Sequence, residues 1–223
     1  AMAEPELAEV ASTALLLLGD FRGVDFFAQA LARDERWLTQ SPGEIVGRYG
    51  GTSYRFLLTR TAGQPGAAGL GALAGLGLMG SVHAVPTLME HVDGRDTQRQ
   101  AVAATALECI TGHREDTDDA HVKHRWLAWW SEHEPDFATG VRYRDGRPLT
   151  VRALVERLGH DDFALRQGAY DELRVATGER LPFDADGPWR VQLAHRAAWE
   201  RWWADNAHDL PATGWMFHGE ALP

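Results

Sequence analysis

The sequence RWLAWW at residues 125–130 recurs as AWERWW at residues 198–203, so one W-x-x-W-W pattern accounts for six of the nine tryptophans. On a helix, spacings of three and four residues bring the first indole of each block beside the other two. Each ring buries on the order of 150–250 Å², which suits it to cover the end of a neighbouring helical hairpin. An aromatic cage or a platform for stacked bases is the alternative, but recurrence at equivalent positions favours packing within two similar helical units.

The sequence around the two blocks is duplicated. Residues 85–112 align without a gap on residues 151–178, and after a short insertion in the later copy the match resumes through the tryptophans. The aligned pairs include apolar positions, helix starts and helix ends: Val85 with Val151, Leu107 with Leu173, Asp96 with Asp162 and Gly112 with Gly178. The duplication thus covers about residues 85–137 and 151–210. Self-similarity at periods of tens of residues, with helical periodicity inside each copy, predicts an all-α fold, an α-solenoid of helical hairpins.

The N-terminal part predicts a further helical hairpin over residues 1–34. A helix from about Glu6 to Leu18 places apolar residues on one side, as expected for the core-facing side of an amphipathic helix: Leu7, Val10, Ala11, Ala14, Leu15 and Leu18. Proline and glycine interrupt residues 35–64, so we expect an irregular insertion there, with a short helix near residues 54–58. Residues 65–223 hold the repeats, two Trp-bearing helices and a C-terminal cap.

A glycine-rich apolar stretch at residues 67–79 raises the question of a membrane segment. Gly71 and Gly75 have the G-x-x-x-G spacing of packed membrane helices. The stretch is shorter than the roughly 20 residues that span a bilayer, and polar residues and prolines flank it. Glycine disfavours an isolated helix by up to about 1 kcal/mol per residue, a cost that close approach of another helix can offset. We therefore predict a buried, closely packed helix and no membrane partner.

The composition limits the partners. The formal net charge is −10 at pH 7 and the pI is about 5.4, whereas nucleic-acid binding needs a surplus of lysine and arginine on at least one face. We expect no nucleic-acid partner and a preference for basic proteins. The sequence has one cysteine, Cys109, so no intrachain disulfide can form. With no targeting signal found, the reducing cytoplasm is the predicted location.

The region from residue 67 to residue 210 resembles HEAT repeats. The resemblance rests on the glycine-rich hairpin at 76–88, the A-x-x-L-x-x-I-T-G sequence at 104–112, Trp129-Trp130, and the R-Y-x-x-G-x-P sequence at 142–148. These motifs are similar to those of a family of uncharacterised bacterial HEAT-like proteins, some of which are encoded near type VI secretion genes. The resemblance implies a bacterial protein with a connection to secretion and with no catalytic residues to transfer.

No catalytic or cofactor-binding motif accompanies the repeats. The sequence lacks a nucleophile elbow, a Walker loop, a dinucleotide fingerprint and zinc-ligand spacing. The densest polar cluster, residues 113–124, contains Asp and His side chains that could bind a metal. It lacks the central glycine and final glutamate of an EF-hand and the H-E-x-x-H arrangement. We interpret it as a solvated loop, and predict no metal, no cofactor and no enzymatic activity.

The candidate residues for contact with a partner lie outside the positions that align between the two copies. Trp189 and Trp215 have no counterpart among the aligned positions, and with Trp37 they are the candidates for exposed contacts, since tryptophan is enriched at binding hot spots. For Trp215 the alternative is that it caps the last hairpin with Met216 and Phe217.

The link between the copies carries the one clearly basic run of the sequence. Arg142, Tyr143, Arg144 and Arg147 could bind an acidic partner or a phosphate group. The alternative is a turn of solvated arginines that are partly paired with nearby aspartates.

The repeats and the lack of a catalytic motif predict a non-enzymatic scaffold or adaptor that binds another protein. Two other hypotheses stay open: an enzyme on a HEAT-like scaffold, of the lyase or DNA glycosylase type, and an immunity protein that neutralises a toxin. The negative charge disfavours a glycosylase, which needs a basic groove. Tight DNA binding at low salt would favour the glycosylase, and neutralisation of a neighbouring gene product would favour the immunity protein.

Overall fold

The computed structural model describes residues 4–117 and 121–223, in which the chain is mostly helical, so the predicted all-α class is confirmed. The helices are α1 (Glu4–Leu17), α2 (Arg22–Ala32), α3 (Pro42–Tyr49), α4 (Arg55–Ala62), α5 (Gly66–Met79), α6 (Val85–Met89), α7 (Thr97–Thr111), α8 (Val122–His133), α9 (Val151–Arg157), α10 (Phe163–Thr177) and α11 (Trp189–Asn206). Two antiparallel hairpins follow α8 and α11: β1 (Tyr143–Arg144) with β2 (Arg147–Pro148), and β3 (Trp215–Phe217) with β4 (Glu220–Leu222). Among the described helices, none combines the length and apolar character needed to cross a bilayer.

Helix α5 is the central helix of the N-terminal half and lies against α3, α4 and α7. From Gly69 onward most of its residues are buried. A methyl group on Gly43 or Gly47 of α3 would overlap the α5 backbone at Gly71 or Gly75, so the two helices touch through glycine on both sides. The predicted buried and closely packed helix is therefore confirmed.

The segment 35–64, predicted to be an irregular insertion, contains α3 and α4. Ser41 caps α3 by accepting a hydrogen bond from the Glu44 amide at 3.5 Å, and Pro42 lies in the first turn. A serine cap followed by proline is a helix-start signal. The short helix predicted near residues 54–58 forms as α4. The prediction is wrong for α3, because its proline and the glycines of its helix contact were interpreted as helix breakers.

The predicted N-terminal helix forms as α1, but the side predicted to face the core faces solvent, and the opposite side is buried. The expected core-facing side is turned to solvent, where Leu7, Val10 and Leu18 are 54%, 56% and 63% exposed. The buried side carries Glu9, Ser12 and the core residue Leu16. Glu9 accepts hydrogen bonds from the backbone amides of Thr39 and Gln40, which ties this side of α1 to the segment before α3.

Both copies of the duplicated sequence form the same elements, since α6, α7 and α8 of the first correspond to α9, α10 and α11 of the second. The side chains of Asp96 and Asp162 cap the N-termini of α7 and α10. Gly112 and Gly178 end the same two helices with φ of 69° and 73°, a left-handed conformation that favours glycine.

The duplication extends to the hairpins, beyond residues 137 and 210. In each hairpin the two turn residues have positive φ, and their amides donate to successive carbonyls near the end of the preceding 15-residue helix. The pairs are Asp145 to Cys109 at 2.7 Å, Gly146 to Ile110 at 3.1 Å, His218 to Val175 at 2.8 Å and Gly219 to Ala176 at 2.7 Å. Each unit is thus three helices and a hairpin that docks on the middle helix.

The first helices of the chain contact the second copy and the C-terminal hairpin region. Helix α10 lies against α1 and α3, and the Thr52 hydroxyl donates to the Pro223 carbonyl at 2.8 Å. Buried apolar side chains form two clusters, one centred on α1 to α8 and one on α9 to α11. In an open solenoid each repeat contacts only its neighbours. The contact between α10 and the first helices departs from that pattern.

Candidate functional site

The tryptophan blocks pack inside their own copies, as the recurrence of the pattern predicts. Trp126 and Trp199, the first rings of the two blocks, are buried, and so is Trp130. Trp202 and Trp203 are half-buried against the second cluster. These rings form the framework of the fold, so a binding surface has to be sought elsewhere.

Two of the predicted partner contacts lie in the interior. Trp215 is buried, and its indole N–H donates to the Met79 carbonyl at the end of α5 at 2.8 Å. Tyr143 is buried as well, and its hydroxyl accepts a hydrogen bond from the Ala138 amide at 2.7 Å. The prediction of exposed contacts is wrong for both, because each hairpin folds its aromatic residue inward. Trp215 and Phe217 pack in the first apolar cluster, and of the three residues proposed to cap the last hairpin only Met216 packs against the second cluster.

Arg142 and Arg144, predicted as partner contacts or solvated turn residues, surround the buried carboxylate of Glu172 on α10. An η nitrogen of Arg142 lies 3.5 Å from Glu172 Oε2, and one of Arg144 lies 3.3 Å from Oε1. Arg48 of α3 brings its Nε within 3.6 Å of the same Oε1. The two η nitrogens also donate to the Leu78 carbonyl of α5, at 2.8 and 3.0 Å. We call Arg48, Arg142, Arg144 and Glu172 the junction cluster, because it joins α3 and α5 to the second copy.

The junction cluster is ionised at neutral pH. Burial by itself raises the pKa of Glu172, but the nearby Arg144, Arg142 and Arg48 outweigh it and hold this pKa below the ordinary 4.5. Burial lowers the pKa of Arg142 to about 10, which leaves the guanidinium charged at pH 7. The C-terminal ends of α3 and α5 add partial negative charge beside the arginines. A carboxylate held ionised in this way suits an ion pair and is unsuited to proton transfer near pH 7.

The remaining residue of the basic run, Arg147, is exposed on β2. It lines a cleft with Arg144 and with Arg157 of α9. Asp145 at the hairpin turn pairs with Arg157, so this aspartate is paired with an arginine from outside the run.

Trp189, the first residue of α11, is 62% exposed. Leu193 is exposed one turn later on the same face, whereas Val191, two residues from each, is exposed on a different face of the helix. At the start of α10, Phe163 and Leu165 are exposed too. We call these five residues the Trp189 surface.

One carbonyl group holds the starts of α10 and α11 together. The Ala185 oxygen accepts hydrogen bonds from Arg166 of α10 at 2.7 and 3.1 Å and from Gln192 of α11 at 3.1 Å. Four exposed carboxylates lie in the same chain segments, namely those of Asp161, Asp162, Asp184 and Asp186, beside one exposed cation at Arg190. The Trp189 surface is therefore apolar with an acidic surrounding.

The apolar residues on α10 belong to the second copy alone. The positions of Phe163 and Leu165 are occupied by Thr97 and Arg99 in the first copy. Arg99 donates to backbone carbonyls between α4 and α5, so the first copy uses this position for an internal contact. Sequence reasoning identified Trp189 but missed Phe163, Leu165 and Leu193. Comparing the two copies for polar positions that become apolar would have found the α10 pair.

The polar loop after α7 is held by stacking and ion pairs. His113 stacks on Trp129 with ring centroids 4.3 Å apart, and its Nε2 lies 2.8 Å from Glu115 Oε1. Glu115 also pairs with Arg125 at 2.7 Å. Residues 118–120, which include two of the aspartates considered as metal ligands, lie outside the described residues. Within residues 4–117 and 121–223, no three His, Cys, Asp or Glu side chains are grouped as metal ligands.

Comparison with protein-family models, with curated proteins and with solved structures finds no match to this chain. The resemblance to HEAT repeats therefore rests on the sequence motifs alone.

Proposed function

We propose that this chain is a non-enzymatic scaffold that binds another protein through the Trp189 surface. The observation that carries the proposal is the exposure of a tryptophan and four large apolar side chains around two helix starts. Exposed apolar patches on soluble proteins mark interaction sites when polar residues surround them. The apolar pair on α10 is absent from the first copy, so the repeated framework does not require it.

The acidic surrounding indicates the chemistry of the partner. Four aspartates against two arginines, Arg166 and Arg190, give the region a net negative charge, in keeping with the −10 of the whole chain. Opposite charges steer association and suppress wrong partners. We infer a partner segment that buries an apolar side chain on Trp189 and carries lysine or arginine next to it. An adaptor role in a bacterial secretion system is a further proposal that rests on the HEAT resemblance alone.

The test is co-purification from native lysate with the Trp189→Ala and Leu193→Ala variants, followed by titration calorimetry with the captured protein. We expect each variant to weaken binding by about thirtyfold, since truncating a hot-spot residue costs about 2 kcal/mol or more. Binding that falls with rising salt would support the basic partner.

Phe56→Ala is the matched control, because Phe56 is 76% exposed on α4, away from this surface. It should retain wild-type affinity. Equal affinity of wild type and Trp189→Ala for a stoichiometric partner would refute the Trp189 surface as the binding site. A turnover activity with no stable partner would refute the scaffold itself.

A further inference from the structure

A cleft of about 550 Å³ opens between the β1–β2 hairpin and α9. Three arginines line it, Arg144, Arg147 and Arg157, together with the acidic residues Asp145 and Glu156. His160 also belongs to its wall. The cleft is therefore polar and holds more cationic than anionic side chains.

Both carboxylates of the cleft already have partners. Asp145 pairs with Arg157, and Glu156 pairs with Arg152 on the outer side of α9 at 2.9 Å. Arg147 is exposed, and among the described residues no carboxylate lies within ion-pair distance of it. The cleft thus offers a cation whose charge is not neutralised by the protein.

A buried surplus of positive charge lies behind the cleft wall. Arg144 belongs both to the wall and to the junction cluster, in which three arginines share the single carboxylate of Glu172. The Arg144 side chain is nine-tenths buried, and its Nε has no hydrogen-bond partner. A concave surface with charge of one sign and a low-dielectric wall concentrates counter-ions. In a chain with a net charge of −10 this region is locally positive.

The geometry points to a binding site for a phosphate-type oxyanion in this cleft. Guanidinium groups match the planar, bidentate geometry of phosphate oxygens, and they keep their charge at any physiological pH. Arg147 supplies the free cation, Arg157 a second guanidinium group that it shares with Asp145, and Arg144 the positive charge behind them. The ligand is either free inorganic phosphate or pyrophosphate, or a phosphate group carried by a small molecule, since all present the same oxygens.

The test is titration calorimetry of the full chain with inorganic phosphate, with pyrophosphate and with phenyl phosphate, at constant ionic strength. We expect saturable binding of at least one of these anions in the millimolar range or tighter. Binding of inorganic phosphate or pyrophosphate indicates a free anion, whereas binding of phenyl phosphate alone indicates a phosphate monoester. Absence of saturable binding for all three overturns the site.

Single-residue variants separate a built site from general charge effects. Arg147→Met should weaken binding about tenfold or more, because a hydrogen bond to a charged group is lost. Arg147→Lys keeps the positive charge but loses the bidentate guanidinium geometry, so its affinity for the anion should lie between those of wild type and Arg147→Met. Arg190→Met removes one exposed charge outside the cleft and should stay within about twofold of wild type. Equal weakening by Arg147→Met and Arg190→Met overturns the site.

Discussion

Glu9 anchors the side of α1 that faces the interior, which also carries the core residue Leu16. Its Oε1 accepts hydrogen bonds from the Gln40 amide at 2.8 Å and from the Thr39 hydroxyl at 2.8 Å. Burial by itself raises the pKa of Glu9, but these hydrogen bonds outweigh it and lower the pKa below 4.5. The partners are 30 and 31 residues away in the sequence, so helical periodicity cannot indicate them. The apolar stripe of α1 favoured the opposite face for this reason.

The variant Glu9→Gln keeps the shape of the side chain and removes its charge. At pH 7 we expect the free energy of unfolding to fall by about 1–3 kcal/mol, the typical contribution of hydrogen bonds to a charged group. Because the folded pKa is lowered, the stabilisation is present above the ordinary 4.5 and is lost as the pH falls through the folded pKa. Urea unfolding of both proteins at neutral and acidic pH measures the difference.

Glu132→Gln is the control for this substitution, because Glu132 is an exposed carboxylate on α8. Its effect on unfolding should be small at every pH. A Glu9→Gln loss no larger than that of Glu132→Gln would show that Glu9 does not hold α1 in place.

At the scale of elements, the contact between α3 and α5 was predicted from the sequence only in part. The G-x-x-x-G spacing at Gly71 and Gly75 predicts close packing, which the structure confirms. The helix that packs there was missed, although Gly43 and Gly47 repeat the same spacing after the Ser41-Pro42 start. Glycine spacing indicates a contact face only once the segment is known to be helical.

The variant Gly47→Ala tests this contact. A methyl group at position 47 would overlap the Gly75 carbonyl, so we expect a loss of about 1–3 kcal/mol from overpacking. The control is Gly168→Ala in α10, where the nearest atom to the new methyl group is 3.9 Å away. Alanine there should stabilise the helix by up to about 1 kcal/mol. Thermal unfolding that gives both variants the same sign of change would contradict the close contact.

The hairpins explain why the duplication is shorter in sequence than in structure. VRYRDGRPL at residues 141–149 and GWMFHGEAL at residues 214–222 share little beyond one glycine and one leucine in register. What they share is backbone geometry, with φ of 53° and 74° at the first turn and 48° and 84° at the second. The hydrogen bonds to α7 and α10 are donated by backbone amides of the turns, so they constrain the backbone and leave the side chains free to differ. A comparison of the two sequences does not reveal a constraint on backbone geometry of this kind.

At the scale of the whole molecule, the sequence predicts the two duplicated copies but not the contacts between them and the N-terminal helices. The junction cluster brings together residues 48, 142, 144 and 172, which have no common motif or spacing. For the same reason the candidate site was predicted only in part. Trp189 is exposed, whereas Trp215, Arg142, Tyr143 and Arg144 are covered by elements distant in the sequence. Exposure is a property of tertiary contacts, and residue type alone does not decide it.

Glu172 ties the second copy to the first, and the variant Glu172→Gln tests this contact most directly. Removing one partner from a buried ion pair costs about 3–5 kcal/mol, because the remaining charges lose their compensation. Glu156→Gln breaks a surface pair of the same copy, in which both side chains are more than half exposed, and should cost about 1 kcal/mol or less. The lowered pKa of Glu172 places its stabilisation above pH 4.5, and the stabilisation is lost as the pH falls through the folded pKa.

The decisive measurement is therefore urea unfolding of wild type, Glu172→Gln and Glu156→Gln at pH 7 and at acidic pH. We expect a large loss for Glu172→Gln at pH 7 that shrinks at acidic pH, and a small loss for Glu156→Gln. A Glu172→Gln loss equal to that of Glu156→Gln, or one that does not change with pH, would contradict the junction.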